Sequence, residues 1–235
     1  MKFYETPFWL TIPFLVGIGI VILLTVLLAK KNAPTNKKNF VIGSIILFFG
    51  AYIFYVVLAG QKGLFQQAMF PPKILLFTTI PYALFLFLVV IKLPTALKII
   101  EKTELSELIG LHIFRLVGCT FIFLGFYDAL PKHFAYLAGI GDVLAALSSI
   151  FVVYALKEEK KYAKKLAYAW NVFGLADIIM TAILANVLTK ISMDTGQMGV
   201  DTLARFPFSL IPAIAPPTII FLHVLIFRKL KNISS

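Results

Sequence analysis

The chain has 235 residues, of which 60% are hydrophobic and 14% are charged, and its mean hydropathy is +0.92. Soluble domains carry about 25% charged residues, so this composition excludes an ordinary water-soluble globular protein. The formal net charge of +11 does not indicate a nucleic-acid-binding protein, because the basic residues are not interleaved with exposed aromatic residues.

Seven apolar runs follow one another along the chain, and each approaches the roughly 20 residues that a helix needs to cross a hydrocarbon core. The runs are continuously apolar and do not alternate, which favours helices over the strands of a membrane barrel. The sequence therefore predicts an all-α polytopic membrane protein, folded as a single domain of seven transmembrane helices over residues 1–235. The predicted spans are 8–29, 40–58, 74–91, 108–130, 134–156, 166–188 and 208–227.

Positive charge in the loops predicts how the helices are oriented. Fifteen of the 22 Lys and Arg residues lie in loops that would share one side of the membrane, and six lie on the other side. Cytoplasmic loops are the ones enriched in Lys and Arg, so we expect the N-terminus outside and the C-terminus in the cytoplasm. The same residues predict anionic lipid head groups as partners of the cytoplasmic loops, with no nucleic acid involved.

Arg115 is the one basic residue that falls well inside an apolar run. A charge at that depth costs at least about 2.5 kcal/mol on insertion scales and is rarely left without a partner. Spans 5 and 6 each carry polar residues on a face of small residues, and such faces pack against other helices. The sequence thus predicts a buried polar site enclosed by helices 4 to 7. Its members are Arg115, Asp142, Asn171, Asp177 and Thr181.

Depth along the helices predicts which of these residues pair. At 1.5 Å per residue, Arg115 lies about 11 Å from the inner end of its span, Asp177 about 16 Å and Asp142 about 21 Å. We therefore expect Arg115 and Asp177 to form the charged pair. Asp142 is expected to lack a cation, to be partly neutral and to be the proton-carrying group.

Two histidines, His112 and His223, lie at similar depth near the inner ends of their spans. They could be the two axial ligands of a b-type haem or two metal ligands, or they could be hydrogen-bonded histidines near the inner interface. They have no recognisable spacing motif, and the single cysteine, Cys119, excludes a four-cysteine metal or iron–sulfur site. The expected cofactor is therefore none, with haem b as the alternative.

Motifs of soluble-type catalysis do not occur in the sequence. There is no pair of histidines at i and i+4 of a zinc-hydrolase helix, no nucleophile elbow and no P-loop. The last span also has no lysine at the depth that a retinal protein requires. Enzymatic activity is accordingly not indicated.

The second half of the chain contains a set of motifs: His112-x-x-Arg115-x-x-Gly118, Gly141-Asp142, Ala169-Trp170-Asn171-x-x-Gly174-x-x-Asp177, Leu210-Ile211-Pro212 and His223. This set resembles a group of uncharacterised bacterial multi-pass membrane proteins. The resemblance covers about residues 110–228, and its most specific part is Trp170-Asn171. It implies a seven-helix protein of the bacterial cytoplasmic membrane, but it attaches no activity and transfers no functional residue, and the first three spans take no part in it.

Three functions are compatible with these features. The leading hypothesis is movement or sensing of a small solute or ion through the buried polar site, with a coupled proton. The second is a membrane redox protein that holds one haem or metal between His112 and His223. The third is a structural scaffold, in which Arg115 and Asp177 only fix helix packing. The oligomeric state is not indicated by the sequence.

Overall fold

A computed structural model describes residues 6–66 and 69–232 of the chain. Within these ranges the protein is helical and has no strand, and seven helices are long and apolar enough to cross a membrane, which confirms the predicted all-α class with seven candidate spans. We call these helices spans 1 to 7. The N-terminus, which is predicted to lie outside the cell, falls in Met1–Glu5 and so is not among the described residues. The spans are Phe8–Asn32, Thr35–Gln61, Leu75–Lys92, Leu105–Phe126, Lys132–Lys157, Ala163–Thr195 and Leu210–Asn232.

Several spans extend beyond their apolar runs because polar residues at their ends stabilise further helical turns. Span 4 begins at Leu105, where Glu104 and Glu107 form a capping box. Span 6 continues to Thr195, and its last turn contains an ion pair between Lys190 and Asp194. Gly196 then ends the helix with a φ of +71° and an N–H bond to the carbonyl of Ser192.

The connections between spans gather at two ends of the bundle. At one end, Lys31 of span 1 donates to Glu107 of span 4 at 2.5 Å, and Lys229 of span 7 donates to the carbonyl of Glu101 at 2.6 Å. We call this the lysine-rich end; it also holds the short helix Pro94–Lys102. At the opposite end, Thr202 donates to the carbonyl of Ala129, which joins the loop before span 7 to the loop before span 5.

Spans 4 and 7 are the central helices of the bundle. In their most apolar segments, 56% and 61% of the residues are buried, against 17–33% in the other five spans. Span 5 packs along span 4 and span 6, and span 6 packs along span 7. Polar residues of spans 4 to 7 therefore lie among helices, whereas large apolar side chains such as Phe151 and Ile183 remain exposed on the outside, as expected for lipid-facing positions.

Two spans depart from regular α-helix. Span 3 contains π-helical turns at Leu75–Thr79 and Phe85–Val89, on either side of Pro81, which cannot donate a backbone hydrogen bond. Span 4 is a 3₁₀-helix from His112 to Gly118. A 3₁₀ segment rises about 2.0 Å per residue and places side chains three apart on one face, so His112 and Arg115 point the same way.

Candidate functional site

Arg115 is the centre of a buried network that joins three spans. Its Nε donates to Asp142 Oδ1 of span 5 at 2.7 Å, its Nη2 donates to Asp177 Oδ2 of span 6, and its Nη1 donates to the carbonyl of Gly174 at 3.1 Å. The Arg115 side chain is entirely buried, and those of Asp142 and Asp177 are 13% and 11% exposed. We call Arg115, Asp142 and Asp177 the ion cluster.

The expected pair of Arg115 with Asp177 is present, but the expectation that Asp142 lacks a cation is wrong. The depth estimate placed Asp142 about 10 Å beyond Arg115, whereas Asp142 packs directly against Gly118, three residues from Arg115. At about 2.0 Å per residue this separation is about 6 Å, which the long side chain of Arg115 can span. The forked guanidinium can also donate in several directions at once. Asp142 and Asp177 therefore share one cation.

Two carboxylates and one guanidinium give the ion cluster a net charge of −1 when all three groups are ionised. An uncompensated charge is costly in a helix bundle from which water is largely excluded. The ion cluster can remove that charge by binding one proton or by pairing with another cation. The excess negative charge therefore allows the site to bind a proton or another cation.

Glycines allow the helices to approach closely enough for the ion cluster to form. A methyl group on Gly118 would overlap the carboxylate of Asp142, and one on Gly141 would overlap the carboxylate of Asp177. The sequence pattern predicted small residues on these faces but did not single out Gly141 as the position that faces Asp177. The position of Gly141 within a span, directly before Asp142, could have indicated a close helix contact there.

His112 and His223 do meet, and they form a second buried group beside the ion cluster. Both are completely buried, and their ring centroids are 4.4 Å apart with 41° between the planes. Asn171 donates from Nδ2 to the backbone carbonyl of His223 at 3.1 Å, and its Oδ1 lies 2.7 Å from His223 Nδ1. An amide oxygen can only accept, so His223 Nδ1 is the donor and its Nε2 is unprotonated in the neutral ring.

A haem does not fit between these two rings. Histidines that bind one metal from opposite faces each place a nitrogen about 2 Å from it, so the nitrogens are about 4 Å apart and the ring centres farther still. At a centroid distance of 4.4 Å the rings of His112 and His223 lie against each other, with no room for a porphyrin. Among the described residues, no group of three or more His, Cys, Asp or Glu side chains could hold a metal ion.

A cavity of about 420 Å³ leads from the loops opposite the lysine-rich end to the ion cluster. It lies mainly between spans 3, 6 and 7, and Asp142 lines its deep end. Thr181 also lines it, whereas Asn171 belongs to the histidine group instead. The cavity was not predicted, because it depends on how the irregular span 3 packs against span 7. Thr79 of span 3 donates to the carbonyl of Pro212 at 2.7 Å and fixes that packing.

One family model matches the chain, over residues 71–231, and it is described as a domain of unknown function, DUF8737. The chain belongs to this family. The DUF8737 match includes spans 3 to 7 and therefore every residue of the ion cluster, the histidine pair and Asn171. The expectation that the first three spans take no part in the resemblance is wrong for span 3. No curated protein and no solved structure matches the chain.

Proposed function

We propose that this protein moves or senses a small solute or ion across a membrane at the ion cluster, with a proton as the coupled species. The observation that carries this proposal is the double position of Asp142. It belongs to the buried ion cluster, and it also lines the deep end of the cavity. Ionisable residues inside a membrane bundle typically mark ion pathways and proton relays.

The charges of the ion cluster suggest how solute and proton would be coupled. Arg115 compensates one carboxylate, and the remaining negative charge accepts either a proton or a cationic ligand, but not both at full strength. Asp142 is the exchanging group because it lines the cavity, whereas Asp177 does not. Binding of one species would then weaken binding of the other, which links the two affinities without requiring that both species be present.

The orientation and the membrane are part of the proposal. The lysine-rich end would face the cytoplasm of a bacterial cell, next to anionic lipid, and the cavity would open outside. A Cys119→Ser background allows a test with Lys161→Cys at the lysine-rich end and Gln197→Cys at the opposite end, both exposed. A membrane-impermeant thiol reagent should label Gln197→Cys in intact cells and Lys161→Cys only after lysis. The reverse pattern would contradict the orientation.

Proton flux into proteoliposomes tests the function. With a pH-sensitive dye inside and a pH gradient plus a membrane potential across the bilayer, the wild-type protein should conduct protons above the rate of protein-free liposomes. Asp142→Asn and Asp177→Asn should each reduce this flux about 100-fold, the lower range for loss of a positioned proton-transfer group. Asp194→Asn removes an exposed acid that is paired with Lys190. It is the matched control and should leave the proton flux unchanged.

The proposal fails if the two ion-cluster variants equal the wild-type protein in flux, ligand binding and stability. Its transport form also fails if the wild-type protein gives no flux above protein-free liposomes.

A further inference from the structure

We infer that the cavity binds an organic cation with an apolar body, and that the ammonium group of this ligand pairs with the carboxylate of Asp142. The inference rests on the proposed function and names its substrate class. Three properties of the cavity carry it: the sign of the charge at its deep end, the chemistry of its wall, and its size.

The sign of the charge follows from how the ion cluster is arranged. Each of the three guanidinium nitrogens of Arg115 already donates a hydrogen bond inside the protein, and the side chain is entirely buried. Arg115 also does not line the cavity, so an anionic ligand bound there would not reach its N–H donors. A cationic ligand would find Asp142, which lines the cavity and receives one bond from Arg115 on Oδ1. Asp201 and Arg205, at the other end of the lining, have opposite charges and do not select a sign.

The wall of the cavity is mainly apolar, and several of its polar residues are hydrogen-bonded within the protein. Thr189 and Asn186 donate to carbonyls of their own helix, at 2.8 Å each, and Thr79 donates to the carbonyl of Pro212 at 2.7 Å. These bonds engage the hydroxyl donors of Thr79 and Thr189 and one of the two N–H donors of Asn186. Much of the remaining lining is apolar, and it includes Phe121, Phe134, Ile178 and Ile211.

These properties favour an organic cation over a bare metal ion. Calcium takes six to eight oxygen ligands and magnesium needs an octahedral set, and one carboxylate on an apolar wall supplies neither. A volume of about 420 Å³ lies within the range of pockets for small organic ligands, roughly 300–1,000 Å³. An apolar body would bury itself against the wall, while the ammonium would compensate the excess negative charge of the ion cluster.

Three probes that share one body and differ in the head group test the ligand class. They are 4-phenylbutylamine, 4-phenylbutanol and 4-phenylbutyrate, and their affinity for the full-length protein in nanodiscs is measured by calorimetry. We expect the amine to bind about 10- to 100-fold more tightly than the alcohol, the range for a hydrogen bond to a charged partner. The carboxylate should bind more weakly than both.

Variants assign the difference to Asp142 and to the cavity. In Asp142→Asn the amine should bind no more tightly than the alcohol, while Asp194→Asn should keep the wild-type ratio. Ala185→Phe fills the cavity from span 6 without touching the ion cluster, and it should abolish binding of both amine and alcohol. The heat that remains in Ala185→Phe measures how much of each probe partitions into lipid. This variant also shows whether binding takes place in the cavity if Asp142→Asn does not fold.

Equal binding of amine and alcohol would overturn the inference and would indicate an apolar cavity that accepts lipid chains. Tightest binding of the carboxylate would overturn the assigned sign of charge. Proton flux that depends on Asp142, without any preference for the amine, would refute the ligand class and leave the proposed function standing. An Asp142-dependent preference for the amine, with proton flux unchanged in Asp142→Asn, would support the ligand class and refute the proposed function.

Discussion

Arg115→Met should destabilise the protein by about 3–5 kcal/mol, the cost of removing one partner from a buried ion pair. The substitution leaves the carboxylates of Asp142 and Asp177 close together without their shared cation, and it leaves the carbonyl of Gly174 without its donor. Thermal unfolding in nanodiscs, followed by circular dichroism, measures the effect. Arg228→Met, at an exposed arginine of the lysine-rich end, is the control and should unfold near the wild-type temperature.

Two further variants separate the three-member ion cluster from a simple ion pair. Arg115→Lys keeps the charge, but one ammonium on a flexible stem cannot replace a fork that makes three bonds to spans 5 and 6, so partial loss is expected. Exchanging the charges of Arg115 and Asp177 should not restore stability, because the new acid at position 115 would lie next to Asp142. Full restoration by the exchange would contradict the ion cluster and would favour the scaffold hypothesis.

Gly141→Ala should be the most damaging of the single-methyl additions in the spans. The added methyl group would overlap the carboxylate of Asp177, so either the helices separate or Asp177 leaves Arg115. Overpacking alone costs about 1–3 kcal/mol, and loss of the ion pair adds to it. Gly118→Ala, which would overlap Asp142, should behave similarly.

Gly43→Ala and Gly50→Ala provide matched controls for this prediction. Both glycines are in span 2, and a methyl group on either would meet no atom within 4 Å. Alanine is the better helix former, so these changes should leave stability unchanged or raise it slightly. The unfolding temperatures of the four variants test the prediction. If Gly118→Ala and Gly141→Ala lowered the unfolding temperature no more than the two controls, these glycines would not be needed to accommodate the carboxylates.

The sequence was sufficient to predict seven spans, because the length of an apolar run reports directly on its ability to cross a bilayer. The pairing of Arg115 with Asp177 also followed from depth alone. Asp142 was misassigned because apolar runs do not reveal how spans 4 and 5 are aligned along the bundle, and Asp142 lies opposite Gly118, close to Arg115. The cavity was beyond prediction because its wall combines residues of spans 3 to 7, and the packing of span 3 depends on its local irregularities.

The histidines show that the sequence does not predict side-chain orientation. The sequence placed His112 and His223 at similar depth, but depth decides neither whether the two rings meet nor how they are oriented. The bond from His223 to Asn171 and the contact of the two rings, which together decide against a haem, depend on packing between spans 4, 6 and 7. Asn171, expected in the buried polar site, fixes His223 and does not contribute to the ion cluster.

Infrared difference spectroscopy of the protein in proteoliposomes tests most directly whether the ion cluster exchanges a proton. Spectra recorded at about pH 5.5 and about pH 9, a range in which exposed Asp and Glu side chains stay ionised, should differ by the carbonyl stretch of one protonated carboxylic acid. This band should disappear in Asp142→Asn with Asp177→Asn and persist in Asp194→Asn. A band that survives in the double variant, or a wild-type protein that shows none, would contradict the ion cluster as the proton-binding centre of the protein.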